Sequence, residues 1–417
     1  MSVMPSRPPL LPLDEALRSL LTRAHLLSET EQVSTLDADG RVLAQDVVSA
    51  LHVPPHDNSA MDGYALRRRD VSAPGVVLPV AQRIAAGAVG QPLQPGTVAR
   101  IFTGAPVPQG TYAVVMQEDC TVVAEATDTT PARVQVNIQP SEGQNIRRAG
   151  EDVARGAVVL ARGTRLGPAE LGLAASIGMA TLTVVRRPRV ALFSTGDELV
   201  MPGAVAPQDM APGAIFNSNR FFLVALLRRV GCEVTDFGLV PDQRELTIAT
   251  LRQAAASHDL VLTSGGVSVG EEDHIKQAVQ ALGSLDLWHI AIKPGKPFAY
   301  GRVGDAHFIG LPGNPVASFV TFCVLVRPFL LRLQGVDDVA IKTIAVRADF
   351  AVAKADKRRE FMRVRRNTTG GVDLFPNQSS GVLTSAVWGD GLVDNPAGVC
   401  IATGDTVQFL PFTALLA

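Results

Sequence analysis

Residues 259–273 read "DLVLTSGGVSVGEED", an apolar run that stops abruptly in a glycine-punctuated polar loop. A short, unbroken apolar stretch bounded by turn residues fits a strand covered on both faces. The helical run "HIKQAVQALG" (274–283) follows directly. Strand, tight loop and helix in that order form the unit of a parallel sheet, and the unit recurs on either side. Upstream, "RVALFSTGDEL" (189–199) is a strand, "NSNRFFLVALLRRVG" (217–231) a helix closed by Gly231, "EVTDFGLVPDQ" (233–243) a strand and "LTIATLRQAAAS" (246–257) a helix. Downstream, "LWHIAIKPGKP" (287–297) and "AHFIGLPGNP" (306–315) are strands, and a final helix begins at 315. The pattern predicts a mostly parallel sheet with helices on both faces.

Outward from this region the character changes. Residues 13–27 carry leucines at helical spacing, whereas "VVLPVAQRI", "TVARIFTG", "YAVVMQEDC" and "ARVQVNIQ" between 76 and 140 are short β-prone runs separated by Gly and Pro. After 338 the strand–helix alternation ends and "IKTIAVRADFAV", "EFMRVRRN" and "TVQFLPF" indicate a β module. The expected organisation is α/β plus β and multidomain. Residues 1–50 with 145–180 form an N-terminal helix and elongated linking domain, 51–144 an inserted β-rich domain, 181–332 the α/β domain and 333–417 a C-terminal β domain.

The chain has 417 residues, 47% hydrophobic and 19% charged, with a formal charge of −2. That balance argues against coating nucleic acid or an anionic membrane. Cys120, Cys232, Cys323 and Cys400 lack paired spacing and read as reduced thiols. The N-terminus has no secretory core, and the apolar run 315–333 is expected to be broken by Arg327 and Pro328, short of a bilayer span. A soluble cytoplasmic protein is expected.

In an open α/β sheet the ligand crevice lies at the carboxyl ends of the strands. Those ends carry Gly196-Asp197-Glu198, Asp242, Ser264-Gly265-Gly266-Val267-Ser268 and Leu311-Pro312-Gly313-Asn314-Pro315, with Lys293-Pro294-Gly295-Lys296-Pro297 between the last two. Small residues let backbone N–H groups approach an anion, and a helix N-terminus adds a favourable dipole. Taken alone, the loop reads equally as a tight connection; it is neither a Walker loop nor the dinucleotide fingerprint. Asp273 reads as a helix cap and as a metal ligand. Glu198, Asp242 and Asp273 around a phosphate loop call for Mg²⁺, while Lys293 and Lys296 suit a compact oxyanion. No two histidines have metal-ligand spacing, and no Gly-x-Ser-x-Gly elbow is present.

"DNSAMDGYA" (57–65), "FTGAPVP" (102–108), "STGDEL" (194–199), "SGGVSVGEED" (264–273), "IKPGKP" (292–297) and "LPGNP" (311–315), in this order, resemble the MoeA family of molybdopterin molybdenumtransferases. That family is similar to the C-terminal part of gephyrin and its plant counterparts. The likeness runs from about residue 13 to the end, through "REFMRVR" (359–365) and "QSSGVLTSA" (378–386). It implies a MogA-like α/β domain, a C-terminal β-barrel-like domain, and insertion of molybdate into adenylylated molybdopterin with Mg²⁺-assisted release of AMP. It also implies a homodimer whose site lies between one subunit's α/β domain and the partner's β-rich domain. A MogA-type adenylyltransferase and molybdoenzyme apoproteins are its implied partners. Its functional positions fall on Asp62, Thr103, Glu198, Asp242, Asp273, Lys293, Lys296, Pro312 and Pro315, with Asp152 as a further carry-over. His289 stands four residues before Lys293, where the family commonly has lysine, which implies an anion contact that is either weakened or made pH-dependent. Two other readings are an adenylyltransferase of the MogA type and a gephyrin-like scaffold. The additional modules weigh against the first, and the site's charged residues against the second.

Overall fold

The computed structural model describes residues 10–241, 243–266 and 274–416. A strand covered on both sides has no solvent face to spare for polar residues, and Leu260–Ser264 and Ala306–Leu311 are buried at every position. They lie central in a six-stranded sheet ordered Glu233–Val240, Arg189–Thr195, Leu260–Ser264, Ala306–Leu311, Pro297–Val303, Gly283–His289. The first four strands are parallel and the last two antiparallel. Successive side chains feed opposite cores. Val190, Leu192, Leu260 and Leu262 pack with Leu223 and Leu227 of the helix Asn219–Arg229 and with the helical run from 315. Ala191, Phe193 and Val261 pack with Leu251 of Arg244–Ala255 and Ala278 of His274–Leu282.

Two expectations about this region require correction. Residues 287–297 do not form one strand: Gly283–His289 is the antiparallel edge, and Ile292–Lys293 pairs instead with Arg359–Glu360 in the C-terminal module. Pro294 and the positive φ of Gly295 end the extended run, and Pro297–Val303, not expected as a strand, returns as a hairpin through Gly304. The run 315–333 is also unbroken. A π-turn at Phe322–Val326 precedes Pro328 and absorbs the missing N–H, so Pro315–Thr321 and Arg327–Leu333 continue as one helix. By length and composition that helix could cross a membrane, but 83% of its apolar window is buried inside the fold. Its hydropathy is accounted for by the core it fills.

The β-rich insertion is a six-stranded sheet ordered Ala113–Met116, Gly63–Leu66, Val98–Ile101, Val76–Ile84, Arg133–Val136, Cys120–Ala124. The stretch 57–65, rich in loop-forming residues, supplies the strand Asn58–Ser59 and most of Gly63–Leu66. Gly63 makes this possible: a Cβ there would lie 2.0 Å from the carbonyl oxygen of Val115 on the paired strand. In the C-terminal module, Arg359–Arg366, Gly371–Leu374, Ile344–Ala348, Thr406–Pro411 and Gly391–Asn395 pair in sequence, and the last closes on the first. The five strands form a closed barrel, and Ile292–Lys293 joins it by pairing with the start of Arg359–Arg366.

Residues near both ends of the insertion pack together. Thr30–Ser34 pairs with Thr181–Val185, and Val47–Val48 with Val158–Leu160, over a core of Leu43, Leu166, Ile177 and Val184. This part is fastened to the α/β sheet by polar contacts. Arg186 forks onto Asp259 at 2.7 and 2.8 Å. The last carbonyls of the helix Asn219–Arg229 and its exit, which have no partners within the helix, accept from Arg165, Gln334 and Arg187.

His307 is buried with its Nδ1 2.8 Å from the Tyr300 hydroxyl, and burial pushes its pKa down to about 4. The unfolded chain takes up that proton near pH 6.5, so stability is full above 6.5 and falls as pH drops towards 4, by about 3 kcal/mol. Denaturant melts at stepped pH are expected to show this slope, and to show it reduced in His307→Asn.

Candidate active site

The carboxyl ends of the parallel strands open into a cavity of about 780 Å³. Its floor comes from the loops expected to form it: Thr195 and Gly196, Ser264 to Gly266, and Pro312 to Pro315. Gly266 has φ +67°, and a Cβ on it would lie 2.3 Å from Ile275 Cδ1 and 2.9 Å from Thr195 Oγ1. Only glycine lets the chain turn this tightly against the helix that follows. Gly265 donates its N–H to Leu311 O at 3.1 Å, which draws two strand ends together. Asp242, Ser268 and Asp273 lie outside the described residues.

Glu198 lines the cavity, and its carboxylate has no partner among the described residues. Lys293 and Lys296 both line it, but they differ in state. The Lys296 carbonyl accepts the N–H of Ile290, but its side-chain ammonium has no hydrogen-bond or ion-pair partner among the described residues. Lys293, expected to suit a compact oxyanion, is paired with Glu360 at 2.7 Å and Asp356 at 3.3 Å. The Glu360 hydrogen bond leads in raising its pKa, so it is a firmly charged but occupied cation. Among the described residues no three His, Cys, Asp or Glu side chains cluster as a metal site.

The C-terminal barrel supplies the opposite wall through Arg358 and the loop Gln378 to Ser380. Ser380 O accepts the N–H of Val316 at 2.9 Å, which docks that loop on the first turn of the helix from 315. Arg363 holds the loop from behind. Its backbone N–H donates to Gln378 Oε1 at 2.9 Å, its carbonyl accepts from Gln378 Nε2 at 3.0 Å, and its guanidinium reaches Ser379 O and Ser385 Oγ. Burial lowers its pKa to about 10, and no carboxylate compensates it among the described residues.

Asp62 and Thr103 are brought together, but not at this cavity. Asp62 Oδ1 accepts from both the backbone N–H and the hydroxyl of Thr103, each at 2.8 Å. These bonds, the N–H first, lower the carboxyl pKa. The guanidinium of Arg100 lies 4.8 Å from the neighbouring Phe102 ring centre. Asp152 is exposed, with its backbone N–H on Val53 O.

Three consecutive family profiles match this chain: the MoeA N-terminal region (domains I and II) over 11–178, a probable molybdopterin-binding domain over 191–332, and the MoeA C-terminal region (domain IV) over 345–412. A Haemophilus influenzae molybdopterin molybdenumtransferase is 39% identical, covering 98% of this chain and 100% of its own length. The chain belongs to the MoeA family. Molybdopterin molybdenumtransferase 2 of Mycobacterium tuberculosis is 37% identical over 91% of this chain and 95% of its own. The crystal structure of a molybdopterin biosynthesis MoeA protein from Pyrococcus horikoshii superimposes with TM-score 0.82 at 28% identity, over 96% of this chain and 99% of that one.

Relative to the residues expected for this MoeA-family site, the structure adds Asn219, Arg358, Arg363 and the 378–380 loop. Asn219 is buried and donates to Ser264 Oγ and to Gly313 O, both at 2.7 Å, which ties two cavity loops through one amide. Its signal in the sequence was the pair of asparagines in "NSN" at the mouth of a helix. His289, expected to modulate an anion contact, is outside the cavity lining; its carbonyl accepts the N–H of Leu11 at 2.8 Å.

Asn219→Ala leaves Gly313 O without this donor. The expected cost is about 1–3 kcal/mol in denaturant unfolding, with weakened ligand binding in the cavity.

Proposed function

We propose that this protein acts in molybdenum cofactor biosynthesis as a molybdopterin molybdenumtransferase, inserting molybdate into adenylylated molybdopterin with release of AMP. The single observation that carries this reading is the two-walled cavity of a MoeA-family chain, lined by small-residue loops and, among the described residues, by one unpaired lysine side chain and one unpaired carboxylate. The loops at Ser264 to Gly266 and Pro312 to Pro315 present backbone groups to phosphate and pterin. Lys296 draws in the molybdate dianion, and Arg358 adds a planar donor fork. The additional β modules favour this step over adenylylation of molybdopterin.

The donor set expected for magnesium, Glu198 with Asp242 and Asp273, is all oxygen, which suits a hard cation; that the Glu198 carboxylate has no partner among the described residues fits this. When bound, Mg²⁺ would neutralise phosphate charge. Asp62 and Thr103 belong to the site of a second subunit in a homodimer, which accounts for a tightly ordered exposed carboxylate away from this subunit's cavity. We further read the chain as a cytoplasmic protein of four domains, receiving its substrate from a MogA-type adenylyltransferase and passing product to apoenzymes.

The test is AMP release from adenylylated molybdopterin supplied with molybdate. Asp273→Asn and Asp62→Ala are each expected to lose at least about tenfold in turnover while melting like the parent. Mixed Asp62→Ala and Asp273→Ala subunits are expected to recover activity by forming one intact site per heterodimer. Parental turnover in Asp273→Asn would contradict the assignment, and absence of rescue would contradict the shared site.

A further inference from the structure

Asp356 is not among the residues lining the cavity, yet it holds two cations that are. Its Oδ2 lies 3.3 Å from Lys293 Nζ and 3.1 Å from Arg358 Nη2. Its Oδ1 accepts from Arg358 Nε at 3.1 Å and from the Arg358 backbone N–H at 3.0 Å. Glu360 takes the remaining reach of Lys293. Of the three cations at the cavity, only Lys296 lacks a carboxylate among the described residues. A cavity built simply for tight capture of a dianion would leave all three uncompensated.

We propose that Asp356 is an internal counter-anion that competes with the incoming tetrahedral oxyanion for Arg358 and Lys293 and thereby sets how tightly that oxyanion is held. This rests on reading the cavity as an oxyanion site. A carboxylate engages a guanidinium through the same fork that a tetrahedral oxyanion uses, so one displaces the other. The Arg358 hydrogen bond keeps the Asp356 carboxyl well below the usual carboxylate range, so the competitor stays charged at neutral pH. Displacement makes binding looser than three free cations would give, and it favours ions able to engage Arg358 and Lys293 together. An oxyanion held this way remains free enough to be passed on to a second ligand.

The substitution that tests this is mild. Asn at 356 keeps the oxygen that accepts the Arg358 N–H, and Gly398 donates to the Asp356 backbone carbonyl at 2.8 Å irrespective of the side chain. Asp349 serves as the control: it accepts from Arg347 at 2.7 and 3.0 Å in the same barrel and lies away from the cavity lining.

Sodium molybdate is titrated calorimetrically into the full chain at pH 7 and constant ionic strength. Asp356→Asn is expected to tighten binding about tenfold, Asp349→Asn to leave it unchanged, and the gain to shrink when Arg358→Gln is already present. A purely structural role for Asp356 would loosen binding, so the direction separates the two. Saturable binding by the parent that is equal or weaker in Asp356→Asn overturns the counter-anion and leaves the cavity reading standing. Absence of binding to the parent and to Asp356→Asn alike overturns both.

Discussion

Ile292 and Lys293 pair in parallel with Arg359 and Glu360, and this two-residue ladder fixes where the barrel meets the strand ends of the α/β sheet. Just beyond Lys293, the chain turns through Pro294 and Gly295, where a Cβ would lie 2.3 Å from Thr321 Oγ1, and re-enters the α/β sheet at Pro297. The same few residues therefore belong to both modules. The 378–380 loop then lands on the helix that follows Asn314, and the cavity acquires its second wall. Neither the sheet nor the barrel encloses that space alone.

Charge is distributed unevenly around this seam. Lys293, Arg358, Asp356 and Glu360 form a mutually compensated group, while Lys296 and Glu198 have no counter-charge among the described residues. Glu360 is buried and Asp356 largely covered, while Lys293 and Arg358 keep a face towards the cavity, so the arrangement is best explained by what it does to an anion there. Arg363 is the opposite case. It is buried among backbone acceptors, and its cost in desolvation is offset by hydrogen bonds that orient the loop it supports.

Much of this was legible from the chain. Strands buried on both faces announce themselves as unbroken apolar runs, so Arg189–Thr195, Leu260–Ser264 and Ala306–Leu311 and the loops after them could be placed from sequence. The floor of the cavity followed from that placement. Its far wall did not, because the register between Ile292–Lys293 and Arg359–Glu360 is a tertiary contact between segments that each read as ordinary strand. For the same reason the pairing of Lys293 was not visible in the sequence: its carboxylate partners are more than sixty positions away in the chain. Pro328 suggested a helix break because a local rule cannot anticipate a π-turn stabilised by packing on both sides. Thr103 came only through the family resemblance, since a lone threonine after a strand carries no chemical signal until Asp62 is beside it.

The claim that the cavity between sheet and barrel is where the oxyanion substrate is received has one direct physical test. Crystals of the full chain soaked in molybdate or tungstate give an anomalous difference map in which the metal marks its own position. The account expects a peak inside the cavity, within hydrogen-bond or ion-pair reach of Lys296 and Arg358. A peak confined to another surface, or none in the cavity at saturating oxyanion, would contradict it.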